Sequence, residues 1–239
     1  MLHTTTTRQA LARMFDDASQ FPPGNMPLGP AWSAHQRWRA GEYADLVGRF
    51  LVPAGRAPEL ARAIEDSDAI EIGIVAPGER PDDVGSLLDG PAEVTSIELR
   101  GSRVAEDIGA WRARAPRAWI FLEGAPLRRV ASLRDADRQV GAKLRCGGLE
   151  AGAFPSCEAV ASFSAECVRL DVPFKATAGL HGPMRRRDSE IGAFHHGFMN
   201  LWVATALAAH GSASAELEHA LAAEHLDALP TVDHDDLAG

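Results

Sequence analysis

Lysine is nearly absent from this chain. Of its 24 basic residues only Lys143 and Lys175 are lysines; the rest are arginines. A protein that uses arginine for almost every solvated positive charge has little need of lysine at its surface. Where the amine persists, chemistry that requires a compact group able to lose its proton is a pointed explanation, because guanidinium stays charged. Cysteine is scarce too. Cys146, Cys157 and Cys167 cannot all pair and none lies in a CxxC, so reduced thiols in a cytoplasmic protein are expected. Zinc-ligand spacings are missing, neither HExxH nor paired CxxC. So are GxSxG, GxxxxGK[ST] and a strand-linked GxGxxG, which disfavours serine-hydrolase, P-loop and dinucleotide-binding chemistry. The longest apolar run, Leu201 to Ala209, is too short to span a bilayer. The N-terminus lacks the charged start and apolar stretch of a signal peptide. No membrane partner is expected. With a net charge of -9 and no basic stripe longer than Arg185-Arg186-Arg187, phosphate neutralisation on nucleic acid is disfavoured as well.

What is present is an alternation. Short apolar runs at Gly48–Ala54, Ala69–Ala76, Val94–Arg100, Ala118–Glu123, Val140–Cys146 and Val172–Ala178 are separated by helix-like stretches such as Ala57–Ile64 and Ser156–Leu170. This is the rhythm of parallel βαβ units. Ahead of it, residues 5–46 read as a helical segment. Thr7 would cap a first helix through Met14 with Leu11, Met14 and Phe15 on one face, and a second helix would cover 31–46. Helices are clearest at 196–210 and 214–227, and Leu229–Val232 reads as a last extended piece. The expected fold is α/β, a β/α barrel of the TIM type spanning residues 1–239 as one domain. Six firm strands and at most two more leave room for a distorted or incomplete barrel, or for an open doubly wound sheet.

A strand sends successive side chains to opposite faces. In VGAKLRCGG, Lys143, Arg145 and Gly147 share a face opposite Ala142, Leu144 and Cys146. In PFKATAG, Lys175, Thr177 and Gly179 share one opposite Phe174, Ala176 and Ala178. Glu98 and Arg100 share a face of IELRG, Glu71 lies with Gly73 in IEIGIV, and Glu123 ends the strand WIFLE. Buried charges are costly unless paired, so a repeated charged face points to a site. The competing structural account is an internal salt-bridge network joining Glu98 and Glu123 to Arg100 and Arg145. Gly147-Gly148 and Gly179 follow the two lysine strands at the carboxyl end, where barrel sites form and glycine backbone can approach an anion. Carboxylates at Glu71, Glu98 and Glu123 could supply a magnesium site; no other cofactor is implied. The stretch LHGPMRRRDSEIGAFHHG reads as a long loop of the kind that covers sites. It carries His181, the best histidine candidate, and His196, the second. Asn200, one of only two asparagines, lies in the helix that follows.

The segments FPPGNMPL, GRFLVPAGRAPEL, AKLRCGG, PFKATAGLHGP and HGFMNLWVATALAAHG together resemble a widespread bacterial protein family over most of the chain. The family brings no established activity. It reads GLHHP where this chain has Gly182 in place of the second histidine. FKATAG is similar to the strand-borne lysine segment of deoxyribose-phosphate aldolases, over about six residues. That similarity implies a barrel enzyme with a Schiff-base lysine and a helper lysine, here Lys143 on the preceding strand.

The leading expectation is a lyase, aldolase-like or decarboxylase-like, acting on a small carbonyl metabolite that bears a carboxylate or phosphate. Lys175 forms the imine and Lys143 sits beside it. Glu123 or His181 moves protons, while Arg145, Gly147, Gly148, Thr177, Glu98, Arg100, His196 and Asn200 surround the substrate. A cofactor-free or magnesium-assisted isomerase or hydrolase is the alternative. A non-catalytic barrel that binds an anionic metabolite is the third reading. A homo-oligomer is compatible with all three.

Overall fold

Apolar residues at alternate strand positions and at helical spacing between them build the architecture seen in the computed structural model, which describes residues 8–9, 11–64, 70–101 and 104–232. The chain divides into two compact units. One comprises Met1–Ala125 with Asp137–Val140, the other Pro126–Ala136 with Gly141–Gly239.

The first unit holds β1 (Phe15–Asp17), α1 (Leu28–Arg39), β2 (Val47–Pro53), α2 (Ala57–Ala63), β3 (Glu71–Ala76), α3 (Gly85–Leu88), β4 (Glu93–Arg100), α4 (Val104–Arg114) and β5 (Trp119–Glu123). Its strands are parallel and lie side by side in chain order. One face is apolar throughout: Phe50 and Val52 of β2, Ile72 and Ile74 of β3, Ile97 and Leu99 of β4, and Ile120 and Leu122 of β5 are all buried. Trp32, Leu60, Leu87 and Trp111, supplied by the intervening helices, are buried as well. Each such side chain contributes about 1.5–3 kcal/mol by leaving water. His35, fully buried in α1, places its Nδ1 3.1 Å from Asp17 Oδ2 and so fastens the helix to the end of β1.

The second unit contains α5 (Leu127–Ala136), β6 (Val140–Arg145, all but its first residue), α6 (Cys157–Arg169), β7 (Phe174–Thr177), β8 (Arg186–Asp188), β9 (Ala193–His195), α7 (Phe198–Ala209) and α8 (Ser214–Ala222). β6 and β7 are parallel neighbours, whereas β8 and β9 form a separate antiparallel ribbon. Ser156 caps α6, its hydroxyl accepting from Ala159 N–H at 3.1 Å. Val160 and Ala161 of α6 pack with Leu201, Val203 and Ala204 of α7 and with Leu217, Ala220 and Leu221 of α8. Leu144, Phe174 and Ala176 lie against this cluster.

The six anticipated strands all form, with ends displaced by at most a few residues; Ala69 itself lies outside the described residues. The described strands comprise seven parallel ones and the ribbon. The N-terminal reading needs correction. Thr7 lies outside the described residues, and Leu11–Arg13 form a turn rather than a helix reaching Met14. Arg13 has φ of 57°, which an α-helix does not accommodate, and Phe15 enters β1 opposite Val47. The spacing of Leu11, Met14 and Phe15 imitates a helical face, but strand pairing overrides it. The second helix starts and stops earlier than expected, at Leu28 and Arg39, because Pro30 is tolerated in a first turn and Gly41 ends the run. Leu229–Val232 is no strand; Leu229 and Val232 pack on the helical cluster instead.

Candidate functional site

The two lysines are register partners. Lys143 on β6 lies opposite Lys175 on β7, and Arg145 lies opposite Thr177. In a parallel pair, in-register residues point to the same side, and neighbouring strands are about 4.8 Å apart. The two amine-bearing side chains therefore leave the sheet side by side. Their opposite face, with Leu144, Phe174 and Ala176, meets the helical cluster, so the charged face is the one turned away from α6, α7 and α8. Lys143 is only 9% exposed and Lys175 is half-buried. Of the two, Lys175 is the more accessible to a small molecule.

Beyond the strands the backbone is tightly constrained. Ala178 and Gly179 both take left-handed conformations, with φ of 60° and 72°. A Cβ on Gly179 would stand 2.6 Å from the carbonyl oxygen of Cys146, and one on Gly147 would stand 2.8 Å from Gly179 Cα. The two strand ends are thus packed backbone to backbone, and glycine is needed there for close approach. Arg145, an exposed residue, donates from Nε to the carbonyl oxygen of Gly147 at 2.9 Å, and Gly148 lies beside its guanidinium. Cys146 is fully buried between these groups, and burial pushes its thiol up to about 12. All three cysteines are free.

The loop anticipated after Gly179 contains the β8–β9 ribbon, which brings His195 rather than His196 to the strand end. His195 is buried, with Nδ1 3.2 Å from the Gly179 carbonyl oxygen and its ring 4.6 Å from that of Phe154. Its Nε2 comes within 3.3 Å of Asp188 Oδ2 without the alignment of a hydrogen bond. The His181 ring lies 5.9 Å from the His195 ring. Burial, then His195 and Arg186, hold the His181 imidazole below its usual 6.5, so its neutral form is favoured. Asp188 is held below the usual carboxylate range, first by the Ile191 N–H and also by the N–H of Glu190.

His196 and Asn200 are engaged elsewhere. His196 precedes α7, for which Gly197 is the cap, and its Nε2 donates to the Pro155 carbonyl oxygen at 2.7 Å. Burial pushes that imidazole down. Asn200 is fully buried. It accepts from Arg185 N–H at 2.8 Å and donates to the carbonyl oxygens of Ala220 and Ala223 at 2.7 and 2.8 Å. Its amide ties the ribbon entry to α8.

The carboxylates belong to the first unit. Glu98 and Glu123 are buried there, and Arg100 Nε lies 3.3 Å from Glu123 Oε1. For Arg100 and Glu123 the salt-bridge account describes what is seen. Arg145 is bonded to a loop carbonyl instead. Glu71 stands at the other end of its strand. It pairs with Glu93, whereas Glu98 pairs with Val75 four residues further along β3, roughly 13 Å away at strand rise. Glu71 is engaged by Arg13 at 2.7 Å and by the Thr95 hydroxyl. Glu71, Glu98 and Glu123 thus do not gather as a magnesium site, and no cluster of three metal-ligating side chains occurs among the described residues.

His195, Asp188 and Phe154 are the residues that sequence reasoning missed. Three residues, Ala193-Phe194-His195, carry too little alternation to have separated His195 from His196 by face. No helix among the described residues is long and apolar enough to cross a membrane. Comparison with protein-family models, with curated proteins and with solved structures gives no match.

Proposed function

We propose that this protein is a lyase that forms a Schiff base through Lys175 with a small carbonyl compound carrying a carboxylate or phosphate. The observation that carries the reading is the register pairing of Lys143 with Lys175, the chain's two lysines, on one face of β6–β7. Lys175 Nζ attacks the carbonyl carbon and water leaves. The resulting iminium takes up the electron pair of the breaking carbon–carbon bond as an enamine while neutral His181 accepts the proton from the departing fragment's hydroxyl. The imidazolium returns that proton to the enamine carbon, and hydrolysis frees the amine. Imine formation uses the Lys175 amine, and Lys143, more deeply buried and directly alongside, lines the same face of the strand pair. Arg145 and Thr177, the next register pair on that face, hold the anionic group. Parallel strands in chain order with helices between them support reading the chain as an incomplete β/α barrel, whose sites form at the carboxyl ends of strands.

The test is reductive trapping. Protein is incubated with cyanoborohydride and, separately, pyruvate, 2-oxoglutarate or dihydroxyacetone phosphate, and then mapped by peptide mass. Apart from the N-terminal amine, only two sites can react, so background is low. A single adduct on the Lys175 peptide, lost in Lys175→Met and Lys175→Arg, is expected. An adduct confined to the N-terminus, or equal on both lysines, would overturn the reading.

A further inference from the structure

The three consecutive arginines of the ribbon have different surroundings. Arg185 stacks on Phe194 with its guanidinium carbon 3.6 Å from the ring centre, and it reaches Glu224 at 3.4 Å. Arg187 is the register partner of Phe194, so it shares that face. Arg186 is the partner of His195, and alternation puts Asp188 on the same side. One face of the ribbon therefore carries Arg186, Asp188 and His195. This is the face that meets the turn after β7, because His195 is bonded to Gly179 and its ring adjoins that of His181. The Arg186 Nε lies 3.9 Å from the point where a Cβ on Gly182 would be, which sets the guanidinium against the segment bearing His181. Gly182 leaves that approach open.

We infer that Arg186, His181 and His195 form a binding site for a small oxyanion, a phosphoryl or carboxylate group, at the carboxyl end of the Lys175 strand. Two observations beyond the proximity of these side chains support it. His195 is only 5% exposed, yet its Nε2 lacks an aligned hydrogen bond, a costly state for a buried polar atom. Asp188 lies on the same face: its Oδ1 accepts two backbone N–H groups of its own turn, and its Oδ2 faces His195 Nε2 at 3.3 Å. Arg186 is exposed, with its donors open to a planar or tetrahedral oxyanion. Resting on the lysine reading, the site receives a second acidic group of the same substrate, distinct from the one held by Arg145 and Thr177, so the ribbon acts as a specificity element for Lys175.

The test uses imidazole NMR signals of the full chain titrated with inorganic phosphate and, in parallel, acetate. Saturable shifts of His181 and His195 are expected, with the preferred anion identifying the phosphoryl or carboxylate source. Arg186→Gln should weaken that binding at least about tenfold, as loss of a charged hydrogen-bond donor does. Arg187→Gln, one residue away with the same change of net charge, should leave it unaltered. Absence of saturable shifts with either anion overturns the site. Equal weakening by the two variants overturns it too, since it would show general charge attraction. Trapping at Lys175 is a separate readout, so a failed imine and a failed oxyanion site are distinguishable.

Discussion

Asn200 and Gly179 show how much a single position carries in the second unit. Asn200 satisfies three backbone groups at once. Asn200→Ala leaves them without partners in a buried site and should cost on the order of 2–4 kcal/mol, measurable as a shift in the urea midpoint. Gly179→Ala adds a Cβ 2.6 Å from the Cys146 carbonyl oxygen at φ of 72°. Destabilisation of roughly 2 kcal/mol or more is expected, whereas Ala178→Gly, which relieves a left-handed alanine, should be neutral or stabilising. A lower midpoint for Ala178→Gly would contradict this account of the turn.

Among the elements, β6 and β7 are legible in the sequence because alternation assigns Lys143 and Arg145 to one face and Leu144 to the other. The helices that receive the apolar face are legible too. α6 starts where Ser156 can cap it, and Ser156→Ala should lower stability by about 1 kcal/mol without altering trapping at Lys175. The ribbon is not legible. Strands of three residues carry too little pattern to stand out from a loop, and their pairing is a tertiary event. For that reason residue order points to His181 beside the strand end, where it lies, but favours His196 as its companion over the buried His195 that the ribbon delivers.

For the molecule as a whole, His181 and His196 make stability depend on pH in a defined direction. Both imidazoles are held below 6.5 in the folded chain, chiefly by burial. As pH falls through 6.5, the unfolded chain takes up these protons first, so unfolding is favoured. The contribution is fully present above 6.5 and is lost as pH falls toward the lowered folded values. Thermal midpoints should therefore decline on acidification below neutrality, and His196→Gln should flatten that decline. A midpoint that rises between about pH 7 and 5.5 in the unmodified chain would contradict it.

Residue order alone determined the strand–helix alternation, the side of each strand that is apolar and the confinement of lysine to two strand positions, because hydrophobic burial acts on local periodicity. Only the tertiary structure decided that Lys143 stands opposite Lys175, that Glu71 is displaced from Glu98, that Arg13 ends a helix-like start and that Asp188 and His195 reach the β7 turn. Those outcomes depend on register and on contacts between segments distant in sequence, which no periodicity encodes.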